Sequence, residues 1–351
     1  MLRRSSNWHP IIFSDLDGTL LSSEHTVTER TISSLQRYRD EGGLVVYITG
    51  RAESTLRRIF DACAFTADLW ITQNGGRIYR PVDAPSHVAL DKLLTIGQSE
   101  DCGLTGTDAH RWAKAFLRAV PQLSMLAKDT TSAGAHGPSV VTDERDFLAF
   151  LDEVHGGLAE STYPSGQGLT SPEAGETVAH RISDAHPQSR LLMWVRGWPQ
   201  QRLREELLRG LSDAERAQLG GYRLAASGLV SPADSTGGIE LSPTNAGKRF
   251  AMESLCARMG LEAASDACAF GDGMNDVEML RAAHRSVAPS NAASAEVRGC
   301  VSCVREETND DLNAVAAELD AWLDDGAPST RLRKRKGTAQ PHSAGDDQER
   351  L

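Results

Sequence analysis

Apolar residues gather in short blocks along the first third of the chain. Ile11-Ile12-Phe13-Ser14, Leu44-Val45-Val46-Tyr47-Ile48 and Leu69-Trp70-Ile71-Thr72 are largely apolar without alternation, the pattern of strands covered on both faces. Between the first two, Ile32, Leu35 and Tyr38 recur at helical spacing. Thr28 is suited to cap that helix, which runs to about Asp40, and Gly42-Gly43 ends it. A second helix is predicted from about Glu53 to Asp61. Strand, helix, strand, helix, strand predicts a parallel sheet with helices on its faces.

The rhythm changes near residue 80. Helical patterns follow at 108–119, 144–155 and 200–209, with strand-like runs at Leu191–Val195 and Tyr222–Ala226. The polar Gly- and Pro-bearing stretches between them, notably 161–189, read as surface insertions. The first rhythm returns near residue 245: a helix over 246–259, a strand at Ala267–Phe270, a helix to Ala282, a strand at Ser286–Ala288, a helix from Ala292, a short strand around 300–303, and a helix over 309–323. The expected fold class is therefore α/β, a Rossmann-like parallel-sheet core split over 8–78 and 243–325, with an α+β domain inserted at 79–242. Residues 326–351 read as a disordered polar tail. Its basic block, Arg331–Lys336, is open to a sharper reading as a nuclear-targeting or anionic-surface signal.

Charge and cysteines narrow the classes. A formal net charge of -11 over 351 residues argues against nucleic acid or an anionic membrane as partner. It leaves an anionic small substrate open, because a bound cation reverses the local field. A chain of this length needs none of its six cysteines in disulfides. Cys300-x-x-Cys303 lacks the second pair or nearby histidines of a zinc site and reads as two inward side chains around a short strand. No run approaches the ~20 apolar residues of a bilayer span. The residues before the first strand hold no apolar signal stretch, so a cytoplasmic location is expected.

Candidate chemistry begins where the first strand ends, at Asp15-Leu16-Asp17-Gly18-Thr19. Two carboxylates one residue apart at the end of a buried strand are costly unless a cation is present. In an open parallel sheet, side chains just past the strand ends converge on one crevice. Thr49-Gly50-Arg51, Lys248 and Gly271-Asp272-Gly273-Met274-Asn275-Asp276 occupy the same kind of position. Asp15 is placed to attack phosphorus, and Asp17 to act as general acid and then base. Asp272 supplies a second metal carboxylate, and an all-oxygen site favours Mg²⁺ over zinc. Asn275 and Asp276 support the metal or orient Lys248, which neutralises phosphate and Asp15. Thr49 offers a hydroxyl, and the backbone around Gly50 offers an anion nest. Each segment alone is also a polar turn, a strand–helix turn, a surface lysine or a plain loop. Together, in order, at the strand ends of one sheet, they argue for a site.

These four segments resemble the ordered motifs of the haloacid dehalogenase-like superfamily, over roughly 11–78 and 243–325. The resemblance implies Asp15 as nucleophile, Asp17 as acid/base, and Thr49 and Lys248 on phosphate. It implies Mg²⁺ on Asp15, the Asp17 carbonyl and Asp272, with Asn275 and Asp276 supporting. The insertion and Asn74-Gly75 look like the Cof and sucrose-phosphatase subgroup with an α/β cap, and Ala246-Gly247-Lys248 and Ser290-Asn291-Ala292 lean towards its sucrose-phosphatase-like members. The implied activity is a Mg²⁺-dependent phosphatase of a small phosphorylated metabolite, such as a sugar phosphate or a small cofactor phosphate. A sugar-phosphate mutase or phosphotransferase is the alternative. Phosphomannomutases share the architecture, but their second motif usually lacks the form of Thr49-Gly50-Arg51. A non-catalytic sugar-phosphate-binding protein is a third reading. The cap is expected to close over the site about hinges near 78 and 243. Arg51 and Arg196 are candidate substrate contacts, Arg196 also reading as a solvated strand-end arginine; Trp194 and Trp198 are a candidate flat wall for a sugar, with aromatic core packing the other reading.

Overall fold

The computed structural model describes residues 11–324 except 52, 61–62, 64, 82–83, 85–98, 102–103, 130–138, 156–168, 171–177, 183–187, 293 and 311–312. The polar tail with its basic block, and most of the polar stretch 161–189, lie outside the described residues. In chain order the strands are β1 (Ile11–Ser14), β2 (Leu44–Ile48), β3 (Leu69–Thr72), β4 (Arg77–Tyr79), β5 (Ser99–Asp101), β6 (Ser124–Asp129) and β7 (Ser139–Val141), then β8 (Leu169–Thr170), β9 (Gln188–Trp194), β10 (Tyr222–Val230), β11 (Gly237–Pro243), β12 (Ala267–Phe270), β13 (Arg285–Ala288) and β14 (Cys303–Val304).

They form two sheets. The core sheet has eight strands in the order β14-β13-β12-β1-β2-β3-β4-β5. It is parallel from β14 to β3, and β4 and β5 add an antiparallel edge. The chain reaches β12 only after building a six-stranded second sheet in the order β10-β11-β9-β6-β7-β8. The α/β core with an inserted domain is thus the observed architecture.

The core strands are apolar on both faces because both faces are covered. Phe13, Val46 and Ile71 pack with Met252 of the helix Lys248–Arg258 on one side. Ile12, Val45 and Phe270 pack with Tyr38 and Leu319 on the other. Ile12 and Phe13 are fully buried, and each such side chain contributes about 2–3 kcal/mol by leaving water. Thr28 caps the helix Glu29–Asp40 by accepting from Thr31 N at 3.2 Å, as its position predicts.

Two local expectations shift. Cys300 ends the helix Ala295–Cys300 and only Cys303 lies in a strand; both are half-buried free thiols. The last helix starts at Ala314 rather than near 309. Asn313 explains the delay: its Oδ1 caps the helix by accepting from Val315 N at 3.0 Å, and its Nδ2 donates to the Thr19 and Leu20 carbonyls at 3.2 and 3.1 Å.

In the inserted domain, the helices Gly106–Ala119 and Gln200–Arg209 cover one face of the sheet, packing Trp112, Phe116 and Leu203 on Leu191, Met193 and Leu241. Part of the other face packs on the helix Glu144–His155 through Phe147, Phe150 and Trp194. Register puts the site at one edge of the core. Ser14 pairs with Phe270 on one side and with Tyr47 on the other, so β1, β2 and β12 end within one residue of each other and their following loops meet.

Candidate active site

Asp15 follows β1 directly, and its backbone N–H donates to the Phe270 carbonyl at 3.0 Å. This strand-end hydrogen bond ties the first acidic loop to the one after β12. Lys248 opens its helix from the third direction. Its Nζ lies 2.7 Å from Asp15 Oδ1 and 2.6 Å from Asp276 Oδ1, with the lysine side chain only 1% exposed. Burial alone would lower the lysine's pKa, but the two carboxylates outweigh it and hold the ammonium charged.

Asp272 completes the acidic cluster. Carboxylate oxygens of Asp15, Asp272 and Asp276 lie within 4.8 Å of one another. Thr19 Oγ1 donates to Asp272 Oδ1 at 2.8 Å, and Gly273 N donates to Asp276 Oδ2 at 3.0 Å. Burial, followed by the Asp276 charge, pushes Asp272 up to about 7. Burial and then Asp276 likewise raise Asp15 well above the ordinary carboxylate range, with Lys248 opposing. Three carboxylates sharing one ammonium leave excess negative charge, which fits a further cation. All-oxygen donors fit a hard divalent ion. Gly18 is required here: its φ is +73°, and a Cβ would sit 2.3 Å from Asp272 Oδ2.

The remaining sequence-derived residues fall into two groups. Asp17, Thr49, Gly50, Arg51 and Asn275 reach this locality. Asp17 is about one-third exposed and accepts from Arg51 Nε at 2.8 Å, with His25 Nδ1 3.3 Å away. Thr49 is fully buried and its Oγ1 accepts from Arg51 N at 3.1 Å. Asn275 donates to Asn74 Oδ1 at 3.2 Å. Arg196 is not brought to the cluster. It pairs within the inserted domain with Asp146 and Glu153, each at 2.8 Å. Trp194 is fully buried between Phe147 and Phe150, and its Nε1 donates to Asp146 at 2.9 Å. It offers no wall to a ligand. Trp198 lies half-buried against the domain's own core, with the Arg202 guanidinium 4.0 Å over its ring.

Sequence reasoning missed three contributors. His25 sits beside Asp17 in a turn at positive φ (56°). Glu240 and Arg190, both charged residues inside strands, reach the core loops from the inserted domain. The only sequence signal for Glu240 is its place between Ile239 and Leu241 in an alternating run. A cavity of about 220 Å³ lies against the cluster, its lining mixed: Asn74, Glu240, Lys248 and Asn275 stand beside apolar residues such as Met274 and Val277.

Comparison with known proteins agrees with this geometry. The family model for haloacid dehalogenase-like hydrolase matches residues 12–93 and 229–319. The chain is 33% identical over 73 residues to 5-amino-6-(5-phospho-D-ribitylamino)uracil phosphatase of Bacillus subtilis, covering 21% of this chain and 27% of that protein. It is 38% identical over 65 residues to an HMP-PP phosphatase of Enterobacter sp., covering 18% and 24%. The chain thus spans about a quarter of the length of these curated relatives. The fold as a whole is similar to a haloacid dehalogenase-like hydrolase from B. subtilis, with TM-score 0.64 and 20% identity over 88% of this chain and 98% of the other.

Proposed function

The chain belongs to the haloacid dehalogenase-like hydrolase superfamily, and from that premise we propose that it is a Mg²⁺-dependent phosphatase of a small phosphorylated metabolite, acting through an aspartyl-phosphate. The observation that carries this reading is Lys248 bridging Asp15 and Asp276 at a strand end beside Asp272. Asp15, Asp272 and the Asp17 carbonyl would hold the cation, with Asp276 and Asn275 supporting. When bound, the cation supplies neutralisation of the attacking carboxylate and the phosphoryl oxygens.

This chain's residues then divide the work. An Asp15 carboxylate oxygen forms a bond to phosphorus as the ester P–O bond breaks, and Asp17 gives its proton to the departing oxygen. Water next attacks the phosphorus of the aspartyl-phosphate, Asp17 takes its proton, and phosphate leaves with Asp15 restored. Lys248 and Thr49 hold the phosphoryl group, and Gly50 offers backbone donors. Arg51 keeps Asp17 in place before substrate arrives, as its hydrogen bond to that carboxylate indicates. The part of 79–242 that builds the six-stranded sheet acts as the cap; β5 (Ser99–Asp101), although it lies within that stretch, pairs with β4 and belongs to the core.

The substrate is a hydroxyl-bearing compound such as a sugar phosphate. A small cavity of mixed lining, with Asn74, Glu240, Asn275 and Arg223 set among apolar wall residues, supports that class. The curated relatives matched over short segments are phosphatases of small phosphorylated metabolites by name. The test is turnover of a panel of sugar and cofactor phosphates in ¹⁸O-labelled water, with Asp15→Asn as control. Label in the released phosphate, lost in Asp15→Asn, is the expected result. Phosphoryl transfer to a second sugar without label would make the protein a phosphotransferase. Unchanged release by Asp15→Asn would overturn the nucleophile.

A further inference from the structure

Two side chains of the inserted domain make buried polar contacts with the core loops. Glu240 on β11 is 3% exposed, and its two carboxylate oxygens each lie 3.2 Å from Nδ2 of Asn74. Arg190 on β9 donates Nη1 to the same carboxylate at 2.8 Å and Nη2 to the Gly50 carbonyl at 2.9 Å. Glu240 lies opposite Leu192, two residues from Arg190, so both side chains leave one face of the sheet. Each long side chain satisfies its charge on the other while reaching across.

Both paths end on catalytic loops. The peptide plane between Gly50 and Arg51 is held at both edges. Arg190 takes its carbonyl, and its N–H donates to Thr49 Oγ1 at 3.1 Å. Because the peptide is planar, fixing the carbonyl fixes the N–H. That N–H occupies a lone pair of the Thr49 hydroxyl and leaves the hydroxyl proton for an anion. The second path runs from Glu240 through Asn74. Asn74 sits at φ 55°, donates its own N–H to the Thr49 carbonyl at 2.8 Å, and accepts from Asn275 Nδ2 at 3.2 Å. Asn275 shares its loop with Asp272 and Asp276.

We propose that Arg190 and Glu240 are positioning residues: docking of the inserted domain orients the Thr49 hydroxyl through Arg190 and the Asn275 amide through Glu240 and Asn74. This inference rests on the phosphatase reading of the site. It makes the inserted domain part of the catalytic assembly rather than only a cover. Neither residue touches the reacting atoms.

The two paths predict different losses. In the full-length protein, Arg190→Met weakens inorganic phosphate about tenfold, the scale of one lost charged hydrogen bond, and leaves Mg²⁺ binding unchanged. Asn74→Ala weakens Mg²⁺ binding, and so does Glu240→Ala, which also weakens phosphate because it releases Arg190. The double variant Glu240→Ala/Asn74→Ala binds Mg²⁺ no more weakly than the worse single variant, since both lie on one path. Glu240→Gln, which keeps an acceptor, restores most of the loss. Calorimetric titration with MgCl₂ and with inorganic phosphate reads all of these without turnover. A parent protein that binds both ions but hydrolyses no phosphate ester would sink the phosphatase reading and leave these measurements standing. Folded Arg190→Met and Asn74→Ala proteins with parental affinities for both ions would overturn the inference. So would additive losses of Mg²⁺ affinity in the double variant.

Discussion

Lys248→Met keeps the length of the side chain and removes its charge, leaving Asp15 and Asp276 facing each other in the interior. The lysine Nζ is 2.7 Å from one carboxylate and 2.6 Å from the other, and these are 8% and 0% exposed. Removing one partner of a buried pair costs about 3–5 kcal/mol. At about 2.1 cal/mol/K per residue, a chain of 351 residues shifts by roughly 1.4 °C per kcal/mol, so a loss of about 3 kcal/mol lowers Tm by about 4 °C. The deficit depends on pH in a defined direction. Asp15 is already raised by burial and by Asp276, and Lys248 opposes that shift. Without the lysine its folded pKa rises further. A carboxyl raised in the folded state favours folding below its unfolded pKa, and that contribution is lost as pH rises through the folded value. The Tm gap between variant and parent is therefore small near pH 5 and widens towards pH 8. Added Mg²⁺ narrows it by replacing the missing charge. Differential scanning calorimetry at both pH values, with and without Mg²⁺, measures the gap. Turnover falls about 10²–10³-fold, the scale of one lost electrostatic donor. A gap that is constant with pH, or largest in acid, refutes the reasoning, as does unchanged turnover.

Gly18→Ala places a Cβ 2.3 Å from Asp272 Oδ2 at a φ of +73°. It is expected to weaken Mg²⁺ binding at least tenfold while costing only about 1–2 kcal/mol of stability from the left-handed backbone, read by calorimetry and thermal unfolding. Asp272, pushed up to about 7 by burial and Asp276, must lose its proton to hold a cation. Mg²⁺ affinity therefore rises as pH climbs through about 7, and binding releases a proton that buffers of different ionisation enthalpy reveal. Arg196→Ala breaks the pairs with Asp146 and Glu153. It is expected to lower thermal stability and leave the substrate ranking as it was; a reordered ranking would return Arg196 to the substrate.

The core was legible because strands covered on both faces leave unbroken apolar runs, and because Asp15, Asp17 and Asp272 are expensive where they stand. The inserted sheet was less so. β6 and β11 carry serine, lysine, glycine and glutamate among their apolar residues, and neither was anticipated. Glu240 was invisible for the same reason. A charged residue in an alternating strand reads as solvent-facing, and only the opposite domain shows that its face is buried. Trp194 was open to two readings, because an aromatic between Met193 and Val195 serves a core as well as a ligand wall, and its enclosure by Phe147 and Phe150 decides for the core. Asn309 and Asn313 were read as helix. Instead they hold the Leu21, Thr19 and Leu20 carbonyls of the first acidic loop, a long-range role that local periodicity cannot carry.

The order in which the chain delivers these groups has a consequence for how the protein is made. Asp15 and Asp17 emerge first. Thr19 waits 253 residues for its partner Asp272, and the lysine that neutralises Asp15 opens the first helix after the inserted domain. A ribosome extends the chain from its N-terminus, and closing so long a loop by diffusion is slow. The inserted domain has its own apolar clusters. Once folded, it packs Leu104 at its start and Leu241 at its end into one cluster and replaces the long loop with a short one. Its stability therefore governs the rate at which the catalytic half assembles. A lesion deep in its Trp112–Phe116 cluster, far from any phosphate, is expected to show first as slow refolding of the eight-stranded sheet, in a protein whose matured site turns over normally.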